Sequence, residues 1–195
     1  MNKDMNRRTI TFVTGNINKL KEVREILINK NMDNLNIVNQ KLELPELQGE
    51  PEFVAREKCR LASNEIQGPV LSEDTSLCFN ALGGLPGVYI KWFFKRLGLI
   101  GLNNLLEAYE DKSAYAQCIF AYSSEPGSEP ILFIGRCHGT IIKQRGENGF
   151  GFDPIFLPDG ETETFAELST VKKNIISHRA KALQKVKEFL HPLNQ

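Results

Sequence analysis

The chain opens with a strand, a tight turn and an amphipathic helix, and this succession constrains its fold more than any other feature. Residues 9–13 are all β-branched or aromatic, which predicts a strand, and Thr14, Gly15 and Asn16 supply the turn that ends it. Charged residues cover most of the following helix. Its apolar face carries Leu20, Val23 and Leu27. This beginning favours an α/β fold.

Further along, strands alternate with helices at first and then pair with one another. The pattern predicts strands at 36–39, 70–72, 114–122 and 131–143, and helices at 52–66, 90–97, 102–109 and 176–190. The acids at 73 and 74 are expected at the end of a strand. No Pro/Ser-rich linker or repeat divides the 195 residues, which are enough to bury a substantial core. We therefore expect one mixed α/β domain spanning residues 1–195.

Composition excludes several classes of protein. Lys plus Arg and Asp plus Glu number 24 each, so no overall positive charge favours nucleic-acid binding. No apolar run approaches the roughly 18 residues that a membrane span needs, and residues 1–8 lack the pattern of a signal peptide. The four cysteines form no CxxC pair, which argues against a zinc ribbon or a redox dithiol. We expect a cytoplasmic protein that binds neither membrane nor nucleic acid.

Two segments of the first half have residues suited to phosphate and metal chemistry. The turn at 14–16, followed by Lys19 in the first helical turn, can cradle a phosphate, although no standard nucleotide fingerprint is present and an ordinary turn is the alternative. Glu46, Glu73 and Asp74 offer hard oxygen ligands for Mg²⁺; the alternative is that they are surface acids.

Two segments of the second half are suited to binding a base. Phe150, Gly151 and Phe152 precede Asp153, so a base could stack on the aromatic face; two core aromatics beside a turn are the alternative. Near the last helix lies a cationic and hydrogen-bonding cluster, which an exposed helix with solvated charges would also explain. Its members are Lys173, Ser177, His178 and Arg179. Lys173 and Ser177 are four residues apart, which would place them on one helical face.

In combination these motifs resemble the inosine triphosphate pyrophosphatase family over nearly the whole chain. The residues that carry the resemblance are Thr14-Gly15-Asn16 with Lys19, Glu46, Ser72-Glu73-Asp74-Thr75, Gly83-Gly84-Leu85-Pro86-Gly87, Phe150-Gly151-Phe152-Asp153-Pro154 and Ser177-His178-Arg179. Residues 89–93 and 111–116 are similar to the eukaryotic branch.

The resemblance implies hydrolysis of the non-standard purine nucleotides ITP, dITP and XTP to the monophosphate and pyrophosphate, which cleans the nucleotide pool. It also implies an elongated mixed sheet flanked by helices, two lobes around a nucleotide cleft, dependence on Mg²⁺ with Mn²⁺ as a substitute, and a homodimer. Two other functions stay open: a purine-nucleotide sensor without catalysis, and a pyrophosphatase for another modified nucleotide.

The resemblance also implies residue roles. Glu46 and Asp74 would hold the metal, and Asp74 with Lys19 would act in catalysis. The remaining positions would contact substrate: Thr14, Gly15, Asn16, Lys58, Thr75, Lys91, Phe150, Gly151, Phe152, Asp153, Lys173, Ser177, His178 and Arg179. The family often has Trp or Tyr where this chain has Phe152, so a role for a polar ring atom is not expected there. A cation beside Asp74 would favour its ionised form.

Overall fold

The computed structural model describes residues 8–28 and 35–191. Its helices and strands are β1 (Arg8–Val13), α1 (Ile17–Ile28), β2 (Leu35–Gln40), α2 (Pro51–Ile66), β3 (Val70–Phe79), β4 (Pro86–Gly87), α3 (Ile90–Asn104), β5 (Ser113–Ser123), β6 (Ile131–Ile141), β7 (Phe156–Pro158), α4 (Thr170–Ile176) and α5 (His178–Leu190). The predicted mixed α/β fold is confirmed. No helix within these described residues is long and apolar enough to cross a bilayer.

A seven-stranded mixed sheet forms in the order β2-β1-β3-β5-β6-β7, with β4 paired to β3. β1 runs parallel to both of its neighbours, and Phe12 pairs with Asn39 of β2 on one side and Leu71 of β3 on the other. β3 with β4 and β6 with β7 are antiparallel. Parallel connections are almost always right-handed, so α1, which leads from β1 to β2, and α2, which leads back to β3, cover opposite faces of the sheet.

The chain divides into two compact units. The first contains the described residues up to Asp74, Ile119–Ile134 and those from Ala182 onward. One of its cores packs α2 against the sheet, and its buried members are Val13, Ala55, Cys59, Ala62, Val70, Ile119 and Ala121. The opposite face of the sheet places the Phe12 and Phe120 rings 6.0 Å apart. Full burial of each large apolar side chain contributes about 1.5–3 kcal/mol.

The second unit contains Thr75–Cys118 and Gly135–Lys181. Its core joins β3, α3, β5, β6 and the segment around β7 through aromatic and aliphatic side chains, including Phe79, Phe152, Phe156 and Phe165. The rings of Phe156 and Phe165 lie 4.9 Å apart. This core supports the loop at 149–153.

Most of the predicted limits are within two residues of those observed, and three elements differ in a way that matters for the site or the core. β3 does not end before the acids: it continues through Glu73 and Asp74 to Phe79. The helix predicted at 90–97 is the part of α3 before Gly98, whose positive φ of 64° interrupts the helix. The part after Gly98 ends at Asn104, so the helix predicted at 102–109 is wrong over most of its length, where residues 105–108 form turns. The helix predicted at 176–190 begins at His178, because Ser177 is extended and separates it from α4.

Candidate active site

The turn at 14–16 is a capped helix start. The Asn16 Oδ1 atom accepts hydrogen bonds from the backbone N–H of Asn18, at 3.0 Å, and of Lys19, at 3.2 Å. Thr14 Oγ1 accepts a hydrogen bond from the Asn16 N–H at 3.1 Å. These side chains satisfy amides that a helix start leaves without intrahelical partners. The cap fixes the backbone of Lys19 and leaves Gly15 and Asn16 exposed.

Lys19 extends from the first turn of α1 to β3. Its Nζ atom lies 2.6 Å from Glu73 Oε2. The Glu73 side chain is fully buried, whereas that of Lys19 retains 19% exposure. A buried carboxylate thus holds the ammonium group at a surface that solvent still reaches.

Lys58 of α2 brings together the two carboxylates that were expected to hold metal. Its Nζ atom is 2.7 Å from Asp74 Oδ1 and 3.7 Å from Glu46 Oε2. The Asp74 side chain is 14% exposed and that of Glu46 is 41% exposed. Two carboxylates from separate segments therefore face one cation, although the sequence places them 28 positions apart (74 − 46).

Burial sets the protonation preference of Asp74. Burial raises the pKa of Asp74 above its ordinary value; the positive charges of Lys58 and Lys19 oppose this rise without cancelling it, and Glu73 adds to it. The expected cation is present and favours the ionised form, but burial, which local sequence does not report, has the larger effect on this pKa. A carboxylate with a raised pKa is a stronger base than an ordinary aspartate.

Lys58 shows the complementary effect. Burial lowers the pKa of Lys58, but the negative charges of Asp74, Glu46 and Glu73 outweigh burial, so that this pKa lies above its ordinary value. Lys58 therefore remains a cation at neutral pH and is suited to contact an anion.

The donors at Lys58 fit a magnesium ion shared with a substrate. Glu46 and Asp74 present hard oxygen atoms to one point where the protein already accommodates a positive charge. Residues 8–28 and 35–191 contain no cluster of three or more His, Cys, Asp or Glu side chains that could hold a metal ion, so the protein would supply only these two carboxylates. Mg²⁺ commonly uses one or two protein carboxylates and takes its remaining ligands from water and phosphate.

In the second unit, a buried ion pair supports the aromatic loop. Asp153 Oδ2 lies 2.7 Å from Lys173 Nζ and accepts a hydrogen bond from the Phe150 N–H at 2.9 Å. Lys173 Nζ lies 4.6 Å from the centroid of the half-buried Phe150 ring. At Gly149, whose φ is +87°, a Cβ atom would come within 2.6 Å of the Asp153 carboxylate, so this loop requires glycine. The pair thus fixes the backbone and the ring of Phe150.

Arg179 lies beside the same ring. Its guanidinium carbon is 5.7 Å from the Phe150 centroid, and its Nη2 atom donates a hydrogen bond to Thr75 Oγ1 at 3.1 Å. The residue is 1% exposed and is among the largest fully buried side chains in the described chain. His178, also buried, stacks on Phe165 with centroids 5.8 Å apart.

Ser177 and Phe152 lie in different surroundings from those their motifs predicted. Ser177 is not on a helical face with Lys173: it ends α4, and its Oγ accepts a hydrogen bond from the Ala180 N–H at 3.1 Å as a cap for α5. The Phe152 ring is buried in the core, 6.2 Å from Phe156 in an edge-on arrangement. Lys91 is exposed in the first turn of α3, and Gly151 has a φ of +62°.

Comparison with known proteins identifies the family. A model described as the Ham1 family matches residues 10–189. This chain belongs to the Ham1 family. It is 54% identical over 183 residues to the inosine triphosphate pyrophosphatase of Ajellomyces capsulatus, covering 94% of this chain and 97% of the relative. The resemblance drawn from the motifs, including its eukaryotic type, is confirmed.

Solved structures of Ham1-family proteins share the fold. A HAM1 protein from Coxiella burnetii matches 94% of this chain and 98% of its own with a TM-score of 0.83 and 29% identity. The Ham1 protein of Staphylococcus aureus gives a TM-score of 0.78 at 26% identity, covering 95% of this chain and 100% of its own. The nucleoside-triphosphatase or dITP/XTP pyrophosphatase of Mycobacterium abscessus gives a TM-score of 0.73 at 28% identity, covering 94% of this chain and 100% of its own.

Glu73 was a candidate oxygen ligand for Mg²⁺ from its residue type, the resemblance implied no role for it, and the structure pairs it with Lys19. The sequence marked it, with Asp74, as an acid after an apolar strand. Glu73 contacts Lys19 because of the face of β3 on which its side chain lies. A strand predicted to end at residue 72 does not predict on which face residue 73 lies.

Proposed function

We propose that this Ham1-family protein hydrolyses the non-standard purine nucleoside triphosphates ITP, dITP and XTP between the α- and β-phosphates, releasing the monophosphate and pyrophosphate. The observation that carries the proposal is the meeting of Glu46 and Asp74 at Lys58, 3.7 and 2.7 Å from its Nζ atom. A site that only binds an anion does not need two carboxylates facing its cation. Hydrolysis needs a base and a place for a metal ion.

Charge and position supply most of the catalysis. A triphosphate repels an incoming nucleophile, and the ammonium groups of Lys19 and Lys58 reduce that repulsion. The Asp74 carboxylate accepts the proton of the water that attacks the α-phosphorus, and its raised pKa favours this transfer. The P–O bond to the β-phosphate then breaks and pyrophosphate leaves. When bound by Glu46 and Asp74, Mg²⁺, or Mn²⁺ in its place, would neutralise charge on the phosphate oxygens.

Base selection is assigned to the second unit. The Phe150 ring offers a face for stacking, and Lys173 and Arg179 lie 4.6 and 5.7 Å from its centroid. Hypoxanthine and xanthine have a 6-oxo acceptor where adenine has an amino donor, so cationic donors favour the first two. A site whose donors lack a partner with the wrong base can discriminate by about 10⁴- to 10⁵-fold.

The test is pyrophosphate release from ITP, dITP, XTP, GTP and ATP in parallel, with Mg²⁺ and with a chelator. We expect metal-dependent release that favours ITP, dITP and XTP. Glu46→Gln should reduce it strongly, whereas Glu43→Gln, in the same loop with a side chain 88% exposed, should not. Binding of ITP without release would favour a nucleotide sensor, and preference for another base would favour a different pyrophosphatase.

We further propose that the whole chain is one pyrophosphatase domain, that it forms a homodimer and that it acts in the cytoplasm. Light scattering coupled to size-exclusion chromatography measures the mass in solution, which we expect to be about twice the 22.0 kDa of the chain. A monomer mass would contradict the dimer and leave the activity to be tested separately.

A further inference from the structure

Glu73 has surroundings unlike those of the two acids that face Lys58. Its side chain is fully buried, whereas Asp74 and Glu46 retain 14% and 41% exposure. An ionised carboxylate loses much of its hydration when buried and needs a close partner of opposite charge. Lys19, at 2.6 Å, is such a partner.

The geometry of the sheet explains why neighbouring acids contact different lysines. Successive side chains of a strand point to opposite faces. Glu73 therefore shares the face of Leu71, which pairs with Phe12, and this face is covered by α1. Asp74 shares the face of Val70, which packs against α2. Each acid contacts the lysine of the helix on its own side, so the two ion pairs are separate contacts, although the charges of Lys19 and Glu73 also act on Asp74.

Lys19 is fixed at both ends. The Asn16 side chain accepts a hydrogen bond from its backbone N–H at 3.2 Å, and Glu73 contacts its ammonium group at 2.6 Å. A lysine side chain that is not restrained in advance loses rotamer entropy when it binds a ligand. Restraining it in advance removes part of that cost and places the charge before the ligand arrives.

We propose that Glu73 is a positioning residue that holds the Lys19 ammonium group in place to receive the phosphates of the substrate. The inference rests on the proposed function for the identity of that substrate. Glu73 itself is too buried to touch the ligand, so it acts through Lys19.

The first test observes Lys19 without any ligand. In protein labelled with ¹⁵N at lysine Nζ, a held ammonium group gives a resolved signal at low temperature, and Lys19→Arg assigns it by its disappearance. Glu73→Gln should abolish or markedly broaden this signal. Glu129→Gln is the matched control, because it removes a carboxylate that contacts Arg56 and Arg60 in the same unit without touching Lys19. An unchanged Lys19 signal in Glu73→Gln would overturn the proposal.

The second test measures the binding of inorganic pyrophosphate by calorimetry at fixed Mg²⁺. Glu73→Gln should raise Kd by about 10- to 100-fold, the effect of misplacing a group by about 1 Å. In the Lys19→Met background, adding Glu73→Gln should change Kd by less than about twofold, because residues that act through one contact are not additive. Equal effects of Glu73→Gln in both backgrounds would indicate a general structural role and refute the proposal.

If Glu73→Gln shows no cooperative thermal transition, Glu73→Asp replaces it in both tests. Aspartate keeps the charge and shortens the side chain by one methylene group, so an intermediate rise in Kd is expected, and a wild-type Kd would refute the proposal. These outcomes are separate from the proposed function. A wild-type protein that binds pyrophosphate in a Glu73-dependent manner but releases none from ITP would refute the pyrophosphatase assignment and leave this inference standing.

Discussion

Replacing Asp153 by asparagine tests how far the second unit depends on one buried ion pair. The Asp153 and Lys173 side chains are 4% and 8% exposed, and their charged atoms lie 2.7 Å apart. Asparagine preserves the shape of the side chain and an oxygen that can still accept the Phe150 N–H. It removes only the negative charge, which leaves the Lys173 ammonium buried without its counter-charge.

The structure fixes the size of the expected effect. Removing one partner of a buried pair costs about 3–5 kcal/mol, since the remaining charge stays desolvated. For a chain of 150–250 residues, each kcal/mol shifts Tm by about 2–4 °C, so Asp153→Asn should lower Tm by about 6–20 °C. The double variant Asp153→Asn/Lys173→Met removes both charges and should recover much of this loss.

Scanning calorimetry at pH 7 measures these shifts. Lys172→Met is the matched control: Lys172 is the neighbour of Lys173 on α4, and its contact with Glu161 is at the surface, with the Lys172 side chain 45% exposed. Exposed pairs contribute little, so this variant should unfold close to the wild type. If Asp153→Asn lowers Tm no more than Lys172→Met does, or if the double variant is less stable than Asp153→Asn, the argument from the buried charge is wrong.

Three further predictions concern other residues. Because burial raises the pKa of Asp74, this group costs the folded chain stability as the pH rises above the ordinary value of 3.8; with a chelator present, the Tm of Asp74→Asn relative to that of the wild type should therefore increase as the pH is raised through this value. With Mg²⁺ present, Asp74→Asn should lower pyrophosphate release about 100-fold or more. The four cysteines are buried and burial raises the pKa of Cys59 to about 11, so a thiol reagent at pH 8 should label native protein far more slowly than unfolded protein, and equal rates would contradict this. Phe150→Ala should raise KM for ITP by about 5- to 150-fold, the value of one stacked base, and the exposed Phe53→Ala should leave KM unchanged.

Local sequence signals predicted much of the fold, because they arise from residues that lie close together in the chain. The β-branched and aromatic run of β1 and the helical period of α1 are local properties. At Ser177 the predicted helix was wrong. The apolar spacing continues across it, but its extended backbone and its hydrogen bond from Ala180 begin a new helix there.

The candidate site was predicted by residue but not by contact. The motifs marked Glu46 and Asp74, and the resemblance added Lys58, yet their meeting depends on how α2 lies against β3, which no local pattern encodes. The same holds for Asp153 and Lys173, 20 positions apart, which share a buried contact that looks in the sequence like two unrelated charges. Burial, and therefore the direction of the Asp74 pKa shift, is likewise a tertiary property.

The misplaced end of β3 marks the site more clearly than any motif. Hydrophobic patterning stops the strand at residue 72, because acids are costly inside a sheet; the strand nevertheless continues, since helices on both faces supply Lys19 and Lys58 to the two acids. Apolar residues at positions 73 and 74 would stabilise the folded chain at least as well as the two ion pairs do. Packing alone gives no reason to keep two charged residues in the middle of a buried strand. Their presence, together with the raised pKa of Asp74, is therefore best explained by a role in the chemistry of the site.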